Sequence, residues 1–407
     1  GNTASGPGGA VWAHAATVSI SESVFRANTA TDGGAVYLDT VDLTADALVF
    51  EGNIALGDGG GLYAAGGTLD ATDVVVIAGS AVRGGGLAFA GASVTLAGLD
   101  VSGSSADAGG GLWVSAGDAA VDGVLQSTTA DDGAAIAVVG AVVDLDVEVL
   151  GTTSARGALF VDGGDVHVAA GTFEQNLATL AGGAAWVGGG GLLGLGSAVE
   201  LVDDHSLGDG GGIACVSASV DTSAGLVDNV ADGDGGGIHA DGCDLVLAGS
   251  LTGNTAAADG GGVASVSSDM ALGGAVLSGN LATSGGAVRA VDGSLSILDA
   301  TFAGNRATRG AALDVEGVDP TVSVVSFVDH TPTDGALSAL DALVVLEDVV
   351  FLRNEVALEL RLSDATLADC DFGDGLDANG LDIAWGVQEV QLGQGLQTFA
   401  CGPSTCP

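Results

Sequence analysis

Short runs of alternating apolar and polar residues recur along the chain and are interrupted by glycine, aspartate and asparagine. Residues 35–53 contain three such runs, AVYLD, VDLTA and LVFEGN. Period-two alternation over four to six residues, ending at turn-forming residues, is typical of β-strands. The body of the sequence shows no sustained helical period with capping residues. The pattern therefore predicts an all-β fold.

The runs return with a spacing close to 25 residues. DGGGLYA, in which Leu62 is the first aliphatic residue after the glycines, is followed by RGGGLAF at Leu87 and AGGGLWV at Leu112. A fixed period of this length indicates a solenoid. We predict a right-handed parallel β-helix over residues 1–385, with about 14–15 coils of ~25 residues and three strands per coil. Residues 386–407 are predicted to form a C-terminal cap or docking segment.

Stacked coils place equivalent side chains in columns, and two columns can be identified. The apolar residue before each recurring asparagine is predicted to point inward. This core stack contains Phe25, Phe50, Phe173, Leu226, Leu251, Leu277, Phe302, Phe327, Phe351 and Phe372. An asparagine tolerates left-handed backbone geometry, and its amide can hydrogen-bond to the next coil, which predicts a ladder. The ladder contains Asn28, Asn53, Asn176, Asn229, Asn254, Asn280, Asn305 and Asn354.

Composition narrows the functional classes. The chain has 72 glycines, 47% hydrophobic residues and a formal net charge of −44, with eight arginines and no lysine. Nucleic acids and acidic membrane surfaces are therefore poor partners, because binding them requires clustered cations. No long apolar run free of charges and glycines is present, so we expect no membrane insertion by this segment. The absence of a signal peptide and an initiator Met is expected for a processed chain or a fragment.

A column of aspartates precedes the glycines and is the best candidate ligand site. It contains Asp32, Asp58, Asp132, Asp209, Asp234 and Asp259. Stacked carboxylates repel one another unless cations bridge or screen them, and Ca²⁺ favours such oxygens. Two interpretations remain open: a calcium-binding edge, or a solvated turn face in which aspartate is frequent. The order of Gly and Asp differs from that of the GGxGxDxUx calcium repeat, and no other cofactor is expected.

The cysteines favour an oxidising, extracytoplasmic compartment. CGPSTC surrounds a Gly-Pro turn, so a Cys401–Cys406 disulfide is expected there. Cys215 and Cys243, on neighbouring repeats, are a second candidate pair. Cys370 fits a buried small hydrophobe.

The repeats resemble those of the chlamydial polymorphic outer-membrane proteins. FRANTATDGGAVYL, FEGNIALGDGGGLY and FAGNRATRGAAL combine the FxxN and GGA[ILV] motifs of that family, and the resemblance covers about residues 1–380. It implies a right-handed parallel β-helical passenger that is displayed at the cell surface and acts in adhesion. Similar repeats also occur in large secreted proteins of free-living bacteria.

Catalysis is the weaker interpretation. β-Helical polysaccharide lyases and hydrolases need clustered acids, often with a basic residue, whereas here lysine is absent and the arginines are scattered in register. The histidines show no metal-ligand spacing, and His330 falls on a ladder position. They are His14, His167, His205, His239 and His330. We therefore expect no enzyme activity.

Aromatic residues cluster just after the glycines, where some of them should point outward. They are Trp12, Tyr37, Tyr63, Trp113 and Trp186. These rings could form a carbohydrate platform or could simply pack.

The sequence predicts an extracellular or cell-surface structural or adhesive protein. A carbohydrate-binding or polysaccharide-cleaving β-helix is the alternative, and cell-surface or glycan ligands are candidate partners. Residues 1–11 match only the second half of a repeat. An incomplete coil exposes unpaired backbone groups, so end-to-end self-association in a filament or layer is expected.

Overall fold

The chain is all-β in the part that the structure describes. The computed structural model describes residues 1–331, 335–373, 378–379, 381–385 and 390–392. These residues form a parallel β-solenoid of about fourteen turns with a spacing of about 25 residues, which confirms the predicted fold class. In these ranges no helix is long and apolar enough to cross a membrane. The chain divides into two compact units, Gly1–His205 and Ser206–Pro407.

The first unit contains eighteen strands, and the pairings between successive coils are parallel. Phe25 is in register with Phe50, and Leu112 is in register with Ile136. The strands are β1 (Val11–His14), β2 (Thr17–Arg26), β3 (Thr29–Ala30), β4 (Val36–Glu51), β5 (Ile54–Ala55), β6 (Leu62–Ile77), β7 (Leu87–Ala90), β8 (Ser93–Ser102), β9 (Leu112–Ser115), β10 (Asp118–Gln126), β11 (Ile136–Val139), β12 (Val142–Leu150), β13 (Thr153–Arg156), β14 (Leu159–Asp162), β15 (Asp165–Glu174), β16 (Leu177–Ala181), β17 (Ala185–Gly188) and β18 (Leu192–Val202).

The remaining strands run from residue 205 onward and also pair in parallel, as Ile213 with Ile238 and Phe302 with Phe327. They are β19 (His205–Ser206), β20 (Ile213–Val216), β21 (Ser219–Thr222), β22 (Gly225–Val227), β23 (Val230–Ala231), β24 (Ile238–Asp241), β25 (Asp244–Leu247), β26 (Ser250–Thr252), β27 (Thr255–Ala256), β28 (Val263–Gly273), β29 (Val276–Ser278), β30 (Val288–Leu298), β31 (Thr301–Ala303), β32 (Leu313–Glu316), β33 (Thr321–Val328), β34 (Leu337–Leu340), β35 (Leu343–Leu352), β36 (Val356–Arg361), β37 (Asp364–Ala368), β38 (Leu381–Trp385) and β39 (Val390–Leu392).

The three predicted runs of one coil are visible as separate or joined strands. Between residues 213 and 227 they are β20, β21 and β22, and the two-residue β23 follows the ladder position. In β4 the same three runs form one strand, which bends at Thr40 and Ala47. Both residues have positive φ, 56° and 54°. The pairing of β4 with β6 skips these two residues and resumes in the same register, so each bend is a local left-handed conformation.

The parallel pairing continues beyond the expected domain boundary at residue 385. β39 pairs in parallel with β37, where Ala365 is in register with Val390. The rest of the expected cap segment, including Cys401 and Cys406, lies outside the described residues.

Stacked aromatic rings fill part of the core. In the second unit Phe302, Phe327, Phe351 and Phe372 follow one another with ring centroids 4.9–5.1 Å apart. In the first unit Phe25 and Phe50 stack at 5.2 Å. The remaining members of the predicted stack, Phe173, Leu226, Leu251 and Leu277, are also buried.

The packing around Phe50 leaves little free space. The interior void lined by Phe50, Leu43 and Phe89 measures about 10 Å³, which is at the lower limit for one water molecule. This part of the core therefore holds no ligand.

The asparagines form a ladder in which the oxygen and the nitrogen of each side-chain amide have different partners. Asn254 Nδ2 donates to Asn280 Oδ1 (3.1 Å) and to the carbonyl of Leu226 (2.9 Å) in the previous coil. The backbone N–H of Asn254 donates to the same Asn280 oxygen at 3.0 Å. Asn28 and Asn53 repeat the arrangement in the first unit. Each amide thus satisfies two backbone groups of the preceding coil, as Asn254 does for the Asn229 N–H and the Leu226 carbonyl.

The left-handed residue lies one position earlier than expected. Ala27, Gly52, Gly253 and Gly279 have positive φ, whereas the ladder asparagines that follow them do not. The expectation that the asparagines adopt left-handed geometry was therefore wrong. The turn requires that geometry just before the ladder, and the asparagine is needed for its amide.

Other polar residues take ladder positions that sequence inspection missed. Ser104 Oγ accepts from the Gly79 N–H at 3.1 Å, and Thr152 donates from both N and Oγ1 to Asn176. Asn379 continues the ladder, because its Oδ1 accepts from Asn354. Counting 24–25 residues from the known asparagines would have found these positions.

His330 replaces an asparagine in the ladder as a neutral side chain. Its Nδ1 accepts from the Asn305 N–H (3.1 Å), and its Nε2 lies 3.1 Å from the Phe302 carbonyl, to which the Nε2–H tautomer donates. Burial is the main reason that the pKa of His330 is lowered to about 4. The ring therefore carries one acceptor and one donor, as the amide does.

Acid is expected to destabilise the protein through His330. Its folded pKa of about 4 lies below the usual 6.5, so the unfolded chain binds more protons between these values, and stability falls as pH drops through this window. The loss reaches about 3 kcal/mol at pH 4 relative to pH 7.5. His330→Asn should abolish that contribution, which denaturant unfolding of both proteins at the two pH values would measure. An equal pH dependence would contradict the neutral-ring assignment.

Asp204 occupies the ladder position after Asn176. Its Oδ1 accepts from the N and Nδ2 of Asn176, each at 2.9 Å. Its second oxygen, Oδ2, occupies the place in which the ladder asparagines carry the donor nitrogen Nδ2. Burial is the main reason that the pKa of Asp204 is raised well above its usual value. Folding therefore favours the protonated carboxyl.

Asp204→Asn is expected to stabilise the protein near neutral pH. Because the folded pKa is raised, the wild-type protein loses stability as pH rises from the unfolded pKa through the folded one. The gain should be roughly 1–3 kcal/mol at pH 7.5, the range for a poorly satisfied buried group, and smaller at pH 4. Thermal melts of both proteins at the two pH values would test this. A gain that is independent of pH would indicate that the charge is not the cause.

One disulfide links successive coils of the second unit. Cys215 in β20 is bonded to Cys243 in the turn after β24, with Cα atoms 6.4 Å apart. Cys370 is a buried free thiol, and burial raises its pKa. A cross-coil disulfide fits the oxidising compartment expected from the sequence.

Candidate functional site

The candidate site is a corner that recurs in most of the coils that the structure describes, which we call the glycine corner. It consists of the turn glycines, the residue before them (the corner position) and the second residue of the next strand (the facing position). In one coil these are Asp58, Gly59–Gly61 and Tyr63. Gly59 has φ +66°, and a Cβ on Gly60 would lie 2.1 Å from the carbonyl oxygen of Gly85 in the next coil. Only glycine allows this close approach.

The tight turn brings corner and facing side chains together. Burial raises the pKa of Tyr63, and the neighbouring Asp58 carboxylate raises it further. Tyr37 behaves alike, with burial first and the carboxylates Asp39 and Asp32 as further causes. The corner is therefore an acidic and partly desolvated surface.

Corner aspartates are held by the backbone of the next coil. Asp32 Oδ1 accepts from the Asp58 N–H at 3.0 Å. Asp209 and Asp234 accept in the same way from Asp234 and Asp259, each at 2.9 Å. One oxygen of each carboxylate is thus fixed, and the second is left for other partners.

Two of the aspartates that were predicted to bind a cation instead form ion pairs with arginines. Arg83 takes the corner position of the next coil and forms two hydrogen bonds to Asp58, at 2.7 and 2.6 Å. Arg156 does the same with Asp132, at 2.8 and 2.9 Å. Such bidentate pairs are the stronger class of ion pair. Their sequence signal is a separation of one repeat, 25 and 24 residues, which the search for acids alone had passed over.

The same arginines cover aromatic rings at facing positions of the first unit. The guanidinium of Arg83 lies 4.4 Å from the ring centroid of Trp113. That of Arg156 lies 4.8 Å from Phe160 and 4.7 Å from Trp186. Trp113 and Phe160 are buried, so these rings pack and do not form an exposed platform.

Trp12, Tyr37 and Tyr63 form a second aromatic group in the first unit. They are in register on successive strands β1, β4 and β6. The rings of Tyr37 and Tyr63 are 5.4 Å apart and half-buried, and Trp12 is 57% exposed. Asp32 and Asp58 lie at the adjacent corner positions. This group combines accessible rings with carboxylates.

Two facing positions of the second unit, Arg289 and Asp314, carry charged side chains. Arg289 is buried and lies 3.2 Å from Asp314 and 3.9 Å from Asp259, and it also pairs with Glu316. Arg309 adds a second contact to Asp314 at 2.8 Å. Burial raises the pKa of Asp314, and the hydrogen bond from Arg309 opposes this shift. In this network the arginines balance the charges of the neighbouring carboxylates.

His239 joins two corner aspartates, although no histidine was predicted to be a ligand. One nitrogen of His239 and one oxygen each of Asp209 and Asp234 lie within 4.8 Å of one another. The spacing 209, 234, 239 resembles no local metal motif, because stacking of two coils creates the cluster.

Comparison with known proteins identifies one repeat type. Residues 47–65 match the sequence model of the Chlamydia polymorphic membrane protein (Chlamydia_PMP) repeat. No curated protein and no solved structure matches the chain. The matched segment contains Phe50 of the core stack, Asn53 of the ladder and a complete glycine corner. Residues 47–65 are therefore similar to one repeat of the Chlamydia polymorphic membrane proteins, and they form part of a parallel β-solenoid.

Proposed function

We propose that this chain is the surface-exposed passenger of an outer-membrane-associated protein and acts as a structural or adhesive scaffold. The match to the polymorphic membrane protein repeat supports the surface location. The observation that carries the proposal is a repetitive interior with a variable exterior. Core positions stay apolar and most ladder positions carry asparagine or another hydrogen-bonding residue, whereas the position after the ladder changes between successive coils, as Thr29, Ile54 and Ser80 illustrate.

This difference between interior and exterior positions suits a protein that displays its outer surface to partners. Internal ladders satisfy the buried polar groups of each coil, so outward residues are free to vary without loss of the fold. A net charge of −44 also suits an exterior medium, where counterions screen the repulsion.

Surface location is tested by labelling cells that produce the protein. Antibodies raised against the purified chain should label intact cells as strongly as permeabilised ones, with a cytoplasmic protein of the same cells as control. Labelling that requires permeabilisation would contradict the proposal. Beads coated with the native chain, compared with beads coated with the heat-unfolded chain, would then test adhesion to host-cell layers.

Glycan binding is the second candidate function, and the group Trp12, Tyr37 and Tyr63 favours it. Sugars stack on accessible rings while carboxylates accept their hydroxyls. A glycan array probed with the wild-type chain and with Tyr63→Ala would test it. Leu180→Ala, at an exposed aliphatic position of the same unit, is the control. Binding that survives Tyr63→Ala, or no binding at all, would remove this candidate.

Self-association and the lack of catalysis are further parts of the proposal. Sedimentation and electron microscopy of the purified chain would show end-to-end assemblies, and a monomer at high concentration would contradict them. Incubation with acidic polysaccharides should release no shorter products. Their release would favour the enzymatic alternative.

A further inference from the structure

The corner column carries three aspartates on successive coils of the second unit. Asp209, Asp234 and Asp259 follow one another at intervals of 25 residues and are joined by backbone hydrogen bonds. Asp259 has Arg289 3.9 Å away. Arginine also accompanies the corner aspartates Asp58 and Asp132 of the first unit. Within the described ranges, no arginine contact is found for Asp209 or Asp234.

The His239 side chain lies beside Asp209 and Asp234, where a cation would balance the charges of the two carboxylates. Gly235 has φ +71°, and a Cβ there would lie 2.7 Å from the backbone nitrogen of His239. This turn folds Asp234 back towards the His239 side chain. The Asp209 carboxylate reaches the same place from the previous coil, because Gly233 leaves room for it. A Cβ on Gly233 would lie 2.2 Å from Asp209 Oδ1.

The His239 imidazole has an unused polar atom. Its Nδ1 is buried and has no hydrogen-bond partner in the part of the chain that the structure describes. The equivalent positions in the adjacent coils are Ala214 and Ala264, both buried. Packing at this position therefore does not require a histidine, and a buried nitrogen without a partner is unfavourable.

We propose that Asp209, Asp234 and His239 bind one divalent transition-metal ion of the Zn²⁺ type. Ligands about 2.1 Å from one ion lie at most about 4.2 Å apart. The three ligand atoms already lie within 4.8 Å of one another, so small side-chain rotations would complete the site. A nitrogen donor favours such ions over Ca²⁺, which prefers oxygen. The backbone bonds to Asp209 and Asp234 orient the carboxylates, as outer-shell contacts do in known metal sites.

Cobalt provides a direct spectroscopic test on the tag-free full chain. Titration with Co²⁺ should produce a visible absorption band that saturates at one equivalent and disappears on addition of Zn²⁺ but not of Ca²⁺. His239→Ala, which copies the neighbouring coils, should weaken Co²⁺ binding at least tenfold, and Asp209→Asn should do the same. Zn²⁺ should raise the melting temperature of the wild-type protein but not those of His239→Ala and Asp209→Asn.

Controls separate this site from other histidines and from misfolding. His167→Ala, at an exposed position of the first unit, should bind Co²⁺ like the wild type. Circular dichroism without metal should be the same for all variants, since alanine is native at the equivalent positions. No saturable band, an undiminished band in His239→Ala, or displacement by Ca²⁺ would each overturn the proposal.

Discussion

Replacing Asn280 by alanine is expected to lower the free energy of unfolding by about 2–6 kcal/mol. The amide makes four hydrogen bonds: Oδ1 accepts from the N and Nδ2 of Asn254, and Nδ2 donates to the Leu251 carbonyl and to Asn305 Oδ1, all within 2.9–3.1 Å. Alanine leaves at least the Asn254 N–H and the Leu251 carbonyl buried without these partners. Each such group costs about 1–3 kcal/mol.

Denaturant unfolding of the wild-type and Asn280→Ala proteins would measure this loss. Ser278→Ala removes a hydroxyl at the surface of the same coil and should change stability by less than about 0.5 kcal/mol. Native-state hydrogen exchange should show faster exchange of the Asn254 amide in Asn280→Ala. Equal stabilities for the two variants would mean that the ladder contributes little.

Phe327→Ala should be similarly damaging, with a loss of about 3–5 kcal/mol. Phe327 is fully buried, and its ring lies between those of Phe302 and Phe351 at 5.0 and 4.9 Å. Truncation removes both stacking contacts and leaves a cavity that the paired backbone of the adjacent coils cannot close. The same denaturant experiment would measure the change.

The chain itself provides the matched control for Phe327. Leucine is native at the same column position in other coils, at residues 226, 251 and 277. Phe327→Leu should therefore cost less than about 1.5 kcal/mol. If leucine and alanine were equally destabilising, loss of ring stacking rather than the cavity would dominate.

Both variants act where each coil depends on its neighbours. In a solenoid, a coil contacts only the coils adjacent to it, so the damage should remain local and appear first in the amides of those coils. Substitutions at the glycine corner, such as those proposed for Tyr63 or His239, should leave this framework intact. Stability and ligand binding can therefore be tested separately.

Several features could be predicted because they repeat. The interval of about 25 residues, the inward position of Phe50 and the ladder position of Asn53 follow from strand alternation and spacing alone. Exceptions within the repeat were harder to predict. His330 could be assigned to the ladder, whereas Asp204 was passed over, because a single sequence does not reveal that a carboxyl at this position is buried and has a raised pKa.

Contacts between side chains of different columns were also not predicted from the sequence. Arg83 and Asp58 are separated by one repeat, so their ion pair could have been found by counting residues. Arg83 over Trp113, and His239 beside Asp209, depend on how far each side chain reaches across the glycine corner. Such distances depend on the turn geometry that Gly59 and Gly235 impose.

The sequence alone determined the all-β solenoid, its period and its two inner columns, because alternation and regular spacing are local properties that stacking simply copies. The tertiary structure decided which charges meet, which rings are covered and where the left-handed residue lies. These outcomes depend on contacts between side chains of different coils and on the backbone path at each corner. A linear pattern does not encode distances across that corner, so His239 became visible as a third ligand beside Asp209 and Asp234 only in the folded chain.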